Sequence, residues 1–287
     1  MAREEYTLKT QAQIIRMVEA GQITAAALEA VRTAVRPGIS TLELDAIAEA
    51  EIVRLGGHSN FKLVPGYSHT ICASINDEVV HGIPSATRIL AAGDIVSIDC
   101  GAETADGWNG DAAITVIVPG GEEAGVDPEV LKRRKNVSNV CEGSLWAGIA
   151  ALATAKKLND VGTAIEKHIY SAGRYGILED YIGHGIGRSM HEDPPVFNYK
   201  TRFSGPEVKP GLCVAIEPMI TAGSPKVKIL DDEWTVSSKD GSDSSHWEHS
   251  VAVHEGGIWV LTANDGGAAE LAAYGIVPVD PRAGAKE

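Results

Sequence analysis

The chain of 287 residues is 44% hydrophobic and 22% charged, which is ordinary for a globular protein with a sizeable core. Its formal net charge of −14 argues against binding of DNA or of an anionic membrane by the body of the protein. The four cysteines are widely spaced without a CxxC pair, the N-terminus lacks an apolar signal core, and no apolar run approaches the length of a membrane span. We therefore expect a cytoplasmic protein without a disulfide framework.

The first predicted elements are two helices. Apolar residues recur at helical spacing from about residue 8 to residue 35, where a Pro-Gly pair ends the pattern. Ser40 with Glu43 three residues later forms a capping box, which predicts that a second helix begins there. Short strands and loops are expected over residues 58–81.

A β-hairpin that carries two acids is predicted next, over residues 96–118. One apolar run leads into Asp99 and another leads out of Asp111, while Gly107 and Gly110 mark a turn between them. An acid at the apolar end of a strand is costly unless a positive group lies against it, so a metal ion shared by the two acids is one interpretation. For this stretch alone, a pair of solvated turn acids is the alternative.

The second half of the chain is predicted to repeat the order of helix, helix and strands. Asp127 and Pro128 provide an N-cap and a first-turn proline for a helix that reaches about Leu158. Another helix is expected from about residue 160 to residue 172, and strands are expected at 212–216, 251–253 and 258–261. Residues 263–287, rich in Ala and Gly, are expected to form a loosely held C-terminal tail.

The repeated order suggests an internal duplication. Leu44, Ala48, Glu49 and Ile52 recur as Val161, Ile165, Glu166 and Ile169 at an offset of 117 residues. The segments 93–99 and 211–217 match at an offset of 118 residues, so Asp99 and Glu217 hold equivalent positions. With insertions, Asp111 pairs with Glu248, and His81 pairs with His191. A duplication would bring acids together from two halves of the protein.

Five residues are therefore candidate metal ligands: Asp99, Asp111, His184, Glu217 and Glu248. Four carboxylates are too many anions for one ion, and together with one imidazole they suit two adjacent divalent cations. The oxygen-rich set favours Mn²⁺, Fe²⁺ or Co²⁺, and Zn²⁺ is also compatible. Structural Ca²⁺ is a weaker alternative because it predicts ligation by oxygen alone, whereas His184 offers nitrogen.

These residues carry a resemblance to the type I methionine aminopeptidases, metallopeptidases of the M24 family with the pita-bread fold. The resemblance covers about residues 8–262 and rests on seven motifs in order: Cys72–Pro84, Ser97–Asp99, Gly110–Asp111, Gly183–Gly187, Met190–His191, Glu217–Met219 and Glu248–Val251. It implies an α+β fold in which two pseudo-twofold-related α-α-β halves, about 8–120 and 127–262, enclose a dinuclear metal site with an antiparallel sheet. Residues 1–262 would then form a single catalytic domain.

The resemblance also implies the roles of the site residues. Asp99 would bind one metal, Asp111 and Glu248 would bridge both, and His184 with Glu217 would hold the other. A metal-bridged hydroxide would attack the carbonyl of the first residue. His81 would contact the scissile amide and His191 the carbonyl oxygen of the substrate, while Glu217 is also a candidate proton shuttle.

The methionine pocket that the resemblance implies is formed by Tyr67, Cys72, Met190 and Trp234. An apolar slot with sulfur and aromatic walls suits an unbranched thioether. The chain departs from the family pattern here, because residues 61–70 are less aromatic than usual and Met190 stands where phenylalanine is common. Ordinary core packing is the alternative for all four residues.

The resemblance predicts removal of the N-terminal methionine from nascent proteins and peptides when the second residue is small. No feature of the sequence, such as an apolar heptad, demands more than a monomer, so we expect a monomer with at most a transient ribosome contact. Related enzymes that act beside proline carry a large domain before the first acid, and type II enzymes insert a subdomain between the last two acids. Glu248 comes only 31 positions after Glu217, which leaves no room for such a subdomain. Metal-free members of the fold that serve as peptide- or ribosome-binding modules are disfavoured because all five ligands are present.

Overall fold

Residues 6–283 are described by the structure, a computed structural model, and they form an α+β fold as predicted. The helices over this range are α1 (Gln11–Ala34), α2 (Thr41–Arg54), α3 (Pro128–Leu152), α4 (Asp160–Ala172) and α5 (Ala268–Leu271). The strands are β1 (His58–Ser59), β2 (Ile71–Ile75), β3 (Glu78–Val80), β4 (Ile95–Glu103), β5 (Asn109–Ile117), β6 (Gly176–Ile177), β7 (Gly183–Gly185), β8 (Glu192–Val196), β9 (Cys213–Ile216), β10 (Met219–Thr221), β11 (Val227–Ile229), β12 (Val236–Ser238), β13 (Ser244–His246), β14 (Glu248–His254) and β15 (Gly257–Val260).

The capping box predicted for α2 is confirmed. Ser40 Oγ accepts a hydrogen bond from the Glu43 backbone N–H at 3.1 Å, and the Glu43 carboxylate accepts one from the Ser40 backbone N–H at 2.8 Å. These contacts satisfy backbone N–H groups that the first turn of a helix leaves without partners.

We expect Ser40→Ala to lower the free energy of unfolding by about 1 kcal/mol, because the first turn of α2 loses its side-chain cap. The measurement is the midpoint of urea unfolding. Ser171→Ala, at an exposed position near the end of α4, is the control and should leave the midpoint nearly unchanged. Equal midpoints for both variants would contradict the capping role.

One curled antiparallel sheet organises the molecule. Its strands follow the order β1-β4-β5-β14-β9-β7-β8, with β2 paired to β4 and β15 paired to β14. The predicted hairpin supplies β4 and β5, and the matching strands of the second half, β9 and β14, pair with each other and join the hairpin at β5. This arrangement agrees with the predicted duplication.

Side chains alternate between the two faces of the sheet, so that one face packs into the core and the other carries the site. Val96, Ile98 and Cys100 of β4 pack into one apolar cluster with α1 and α2. In the second half, Val214 and Ile216 of β9 pack with α3 and α4 in another cluster. Because successive side chains of a strand point to opposite faces, Asp99 and Glu217 face away from these clusters.

Three local expectations were wrong. Gly110 is not a turn residue but lies within β5, where a Cβ atom would come 2.8 Å from the Ala20 backbone of α1. The helix α3 ends at Leu152 rather than near Leu158, because residues 156–158 leave the helix to hydrogen-bond with the backbone of residues 206–208.

The third incorrect expectation is the loosely held C-terminal tail, because the part of the tail that the structure describes is packed against the protein. Leu271 of α5 is fully buried in the cluster that contains α3 and α4, and the Val279 backbone N–H donates to the Ile258 carbonyl of β15 at 3.0 Å. Residues 284–287 of the tail lie outside the described residues. Within the described range, no helix combines the length and hydropathy that crossing a membrane requires.

Candidate metal centre

The register of the large sheet brings the five predicted ligands to one face. Asp99 and Glu248 both pair with Ala113 of the intervening strand, one from each side. Because His249 pairs with Ile216, Glu217 lies opposite Glu248, and His184 pairs with Ala215 one strand further. Residues that pair across strands share a face of the sheet, and so do alternate residues of one strand. Asp111 lies two residues before Ala113 on the same strand and therefore belongs to this face as well. The small side chain of Ala113 leaves the space between the acids open.

These side chains border a cavity of about 230 Å³. Every residue that the sequence predicts for the site lines this cavity: Tyr67, Cys72, His81, Asp99, Asp111, His184, Met190, His191, Glu217, Trp234 and Glu248. Phe61 and Val64 complete the lining, although sequence reasoning did not single them out as pocket residues. The individual roles of these residues stay predictions.

The carboxylates of the site lie together in the protein interior and have too few hydrogen-bond partners. Asp111 is 4% exposed and Glu248 is 2% exposed. Within residues 6–283, Asp99 Oδ1, Asp111 Oδ1 and Glu248 Oε1 are buried and have no hydrogen-bond partner. A buried carboxylate oxygen without a donor is strongly destabilising when it is ionised.

Burial raises the pKa values of all four acids, and repulsion between carboxylates adds to the shift for three of them. Burial raises the pKa of Asp99 to about 7. For Asp111 and Glu248, burial and then the charges of the neighbouring carboxylates hold the pKa well above its usual range. Burial followed by the charge of Asp99 does the same for Glu217. Such a cluster must take up protons or cations at neutral pH, and two divalent cations fit the donor set and neutralise its charge.

The donor atoms fall into two overlapping groups. One ligand atom each from Asp111, His184 and Glu248 lie within 4.8 Å of one another, and so do atoms from Glu217, His246 and Glu248. Glu248 belongs to both groups, which is the arrangement that a bridging ligand requires. Asp99 belongs to neither group but lines the same cavity.

His184 is oriented for ligation by its other ring nitrogen. Nδ1 lies 3.0 Å from the Gly185 carbonyl oxygen, and Nε2 lies 3.5 Å from Glu217 Oε1. Donation from Nδ1 to the carbonyl leaves the lone pair on Nε2, as metal binding requires. Burial and the nearby His191 lower the pKa of His184 to about 4, so the ring is neutral at pH 7.

His81 and His191 flank the carboxylates from opposite halves of the chain. The His81 backbone is in the left-handed region, with φ at 61°, which is uncommon for a residue with a side chain and is often found at functional sites. The His191 ring centroid lies 4.4 Å from that of His184. Burial lowers the pKa of both His81 and His191, with a further contribution to His81 from His191, so both rings are neutral at pH 7.

A buried ion pair anchors the loop that carries Met190 and His191. Lys9 Nζ lies 2.6 Å from Glu192 Oε2, with the Lys9 side chain 3% exposed. Glu192 also accepts a hydrogen bond from the Ser189 backbone N–H. The segment before α1 therefore fixes the position of two predicted substrate contacts.

We expect Lys9→Met to lower the free energy of unfolding by about 2–3 kcal/mol, because it leaves the Glu192 carboxylate mostly buried without its cation. We also expect kcat/KM to fall about tenfold as the loop loses its anchor. Chemical unfolding and peptide kinetics measure the two effects. Adding Glu192→Gln to this variant should restore part of the free energy of unfolding. If the losses of the two single substitutions simply add in the double variant, Lys9 and Glu192 are not energetically coupled and the proposed anchor is contradicted.

The apolar end of the cavity is built from aromatic and sulfur-containing side chains. The Tyr67 and Trp234 ring centroids are 5.1 Å apart, and the Tyr67 hydroxyl donates to the Ile71 carbonyl at 2.6 Å. Cys72 Sγ lies 3.2 Å from the Tyr67 hydroxyl, and Met190 packs against this cluster. The arrangement gives a slot with an apolar, polarisable wall next to the acids.

His246 is a site residue that sequence reasoning missed. It is the last residue of β13 and is 2% exposed. Burial and the nearby His81 lower its pKa to about 3. Its position two residues before Glu248 was the available signal, because alternate residues of an extended chain share a face.

Comparison with known proteins identifies relatives over most of the chain. The model of metallopeptidase family M24 matches residues 15–255. Methionine aminopeptidase 1 of Mycobacterium tuberculosis is 48% identical over 251 residues, which cover 86% of this chain and 91% of the relative. Methionine aminopeptidase 1 of Bacillus subtilis is 40% identical over 254 residues, which cover 88% of this chain and 98% of the relative. The crystal structure of methionine aminopeptidase from Thermotoga maritima superposes with a TM-score of 0.83 at 35% identity and covers 91% of this chain and 100% of its own.

Proposed function

Since the chain belongs to metallopeptidase family M24, as a type I methionine aminopeptidase with the pita-bread fold, we propose that the acidic cavity is its active site. The protein is a metallo-aminopeptidase that removes the N-terminal methionine from nascent proteins and peptides when the second residue is small. The observation that carries the assignment of the cavity is the convergence of four buried or partly buried carboxylates and His184 beside an apolar slot.

We propose the ligand set that the family resemblance implies, and the membership of Glu248 in both donor groups supports its bridging position. Asp99 would hold one cation, His184 and Glu217 would hold the other, and Asp111 and Glu248 would be shared between them. When bound, two divalent cations supply a nucleophilic water of lowered pKa and polarise the carbonyl group of the substrate. Mn²⁺, Fe²⁺ and Co²⁺ suit this oxygen-rich set, and Zn²⁺ is compatible with it.

The remaining polar residues act on the peptide. His191, neutral and next to His184, donates a hydrogen bond to the carbonyl oxygen of the first residue as negative charge develops there. His81 contacts the scissile amide nitrogen from the other side. Glu217 accepts a proton from the attacking water and passes it to the leaving amine.

The apolar slot selects the first residue. Tyr67, Cys72, Met190 and Trp234 enclose a methionine side chain, whose flexible thioether adapts to an irregular apolar wall. The acids at the inner end of the slot accept the free α-amino group of the substrate, which confines cleavage to the first residue.

The test is hydrolysis of the peptides Met-Ala-Ser and Met-Lys-Ser by protein loaded with Mn²⁺, Fe²⁺ or Co²⁺ under reducing conditions. We expect release of methionine from Met-Ala-Ser and much slower release from Met-Lys-Ser, because the family resemblance implies a preference for a small second residue. Protein treated with a chelator is the control and should be inactive. Cleavage of neither peptide by metal-loaded protein would contradict the proposed site.

We further propose that the enzyme acts as a monomer in the cytoplasm on chains that emerge from the ribosome, with a transient ribosome contact. The four cysteines are free and buried, which suits a reducing compartment. Sedimentation with and without ribosomes tests the oligomeric state and the contact.

A further inference from the structure

The structure fixes the His246 ring at the edge of the acidic cluster. The His246 backbone N–H lies 3.2 Å from both Ser97 Oγ and Thr115 Oγ1, and its carbonyl oxygen accepts a hydrogen bond from Thr115 Oγ1 at 2.7 Å. Ladder pairing with Met219 holds the other edge of the residue. With the backbone held on both sides and the side chain buried, the ring has little freedom to turn away.

The ring has no hydrogen-bond partner although it is buried among acids. Within the described residues, neither Nδ1 nor Nε2 of His246 makes a hydrogen bond. Nε2 lies 3.7 Å from Glu217 Oε2 and 3.9 Å from Glu248 Oε2. A buried imidazole with both nitrogens bare is destabilising and implies a partner of another kind.

The distances fit a shared cation better than direct hydrogen bonds. Both separations exceed the limit of about 3.5 Å for a hydrogen bond. Two ligands that each lie about 2.1 Å from one cation are about 3–4 Å apart, depending on the bond angle. The three ligand atoms also lie within 4.8 Å of one another.

We propose that His246 Nε2 is an additional ligand of the cation held by Glu217 and Glu248. This inference rests on the proposed metal centre and deepens it. With His184 on the other oxygen of Glu217, the centre gains a second nitrogen ligand. A second imidazole shifts the preference of the centre toward Fe²⁺, Co²⁺ or Zn²⁺ and away from Mn²⁺.

The experiment is a Co²⁺ titration of the metal-free full chain, followed by calorimetry and by visible absorption of the bound ion. Wild-type protein should bind two equivalents. His246→Ala and His246→Gln should each weaken one of the two binding steps by at least about tenfold and change the absorption spectrum. His58→Ala, which removes an exposed histidine at the edge of the sheet, should behave as wild type.

Two results would overturn the assignment while leaving the metal centre intact. One is wild-type affinity and spectrum in both His246 variants. The other is wild-type behaviour of His246→Gln alone, because an amide can replace a hydrogen bond but is a poor substitute for an imidazole ligand. Failure of the wild-type protein to bind Co²⁺ would instead contradict the proposed metal centre itself.

A second measurement needs no variant and so does not depend on the folding of one. X-ray absorption at the cobalt edge of the fully loaded wild-type protein counts imidazole ligands. We expect two imidazoles per two cobalt ions, from His184 and His246. A count of one would overturn the proposal.

Discussion

Glu248→Ala is expected to reduce kcat for Met-Ala-Ser by at least about 10³-fold, because it removes the ligand that belongs to both donor groups. The fold should survive, since Glu248 contributes charge rather than apolar volume. The metal-free variant should unfold at the same temperature as the metal-free wild type or at a higher one. The reason is that the substitution relieves repulsion within the cluster, where neighbouring carboxylates raise the pKa of Glu248.

Kinetics with saturating Mn²⁺ and thermal unfolding of the metal-free proteins measure the two effects. Glu255→Ala is the matched control, because Glu255 is an exposed acid in the turn after the same strand. It should leave both quantities unchanged. Activity within tenfold of wild type in Glu248→Ala would refute the bridging role.

His81→Ala is expected to lower kcat about 10²–10⁴-fold while both cations still bind, because the scissile amide loses its side-chain contact. His81 lines the cavity but belongs to neither group of donor atoms. Alanine keeps a Cβ atom, so the strained backbone at this position gains no relief from the substitution.

Steady-state kinetics and a Co²⁺ titration separate the two effects. His168→Ala on α4, outside the cavity lining, is the control and should match wild type in both. A loss of metal binding in His81→Ala that parallels the loss of activity would mean that His81 supports the metal centre and does not act on the substrate.

The face of the sheet that carries the proposed metal ligands could be predicted, because it depends on the local sequence. Asp99 ends one apolar run and Asp111 begins another. Because side chains alternate between the two faces of a strand, their positions in these runs determine the face on which they lie. Val161, Ile165 and Ile169 repeat the spacing of the second helix, and all three are buried in α4 as the duplication predicts. The seven sequence motifs also predicted which residues each half of the chain contributes to the site.

Features that depend on distant contacts were missed or could not be predicted. His246 stands in no motif of its own, and only its spacing from Glu248 could have indicated it, because the pairing of β13 with β10 is what brings its ring near Glu217 and Glu248. The sequence after Leu152 contains good helix formers and no stop signal, yet α3 ends there because residues 156–158 pair with residues 206–208. The burial of Leu271 in a segment rich in Ala and Gly likewise depends on a tertiary contact.

Electrostatic repulsion within the cluster of carboxylates is the reason that the site needs cations. A protein that buries four carboxylates with too few hydrogen-bond donors loses stability unless positive charge enters the cluster. Here the sheet places those carboxylates beside neutral imidazoles and an apolar slot, so that one cavity can hold both the cations and the side chain of the first residue.

The most direct test is anomalous diffraction from crystals of the protein grown with Mn²⁺. We expect two peaks about 3.5–4 Å apart, with Asp111 and Glu248 between them, Asp99 on one side and His184 with Glu217 on the other. No peak among these side chains, or a single peak at saturating Mn²⁺, would contradict the dinuclear centre.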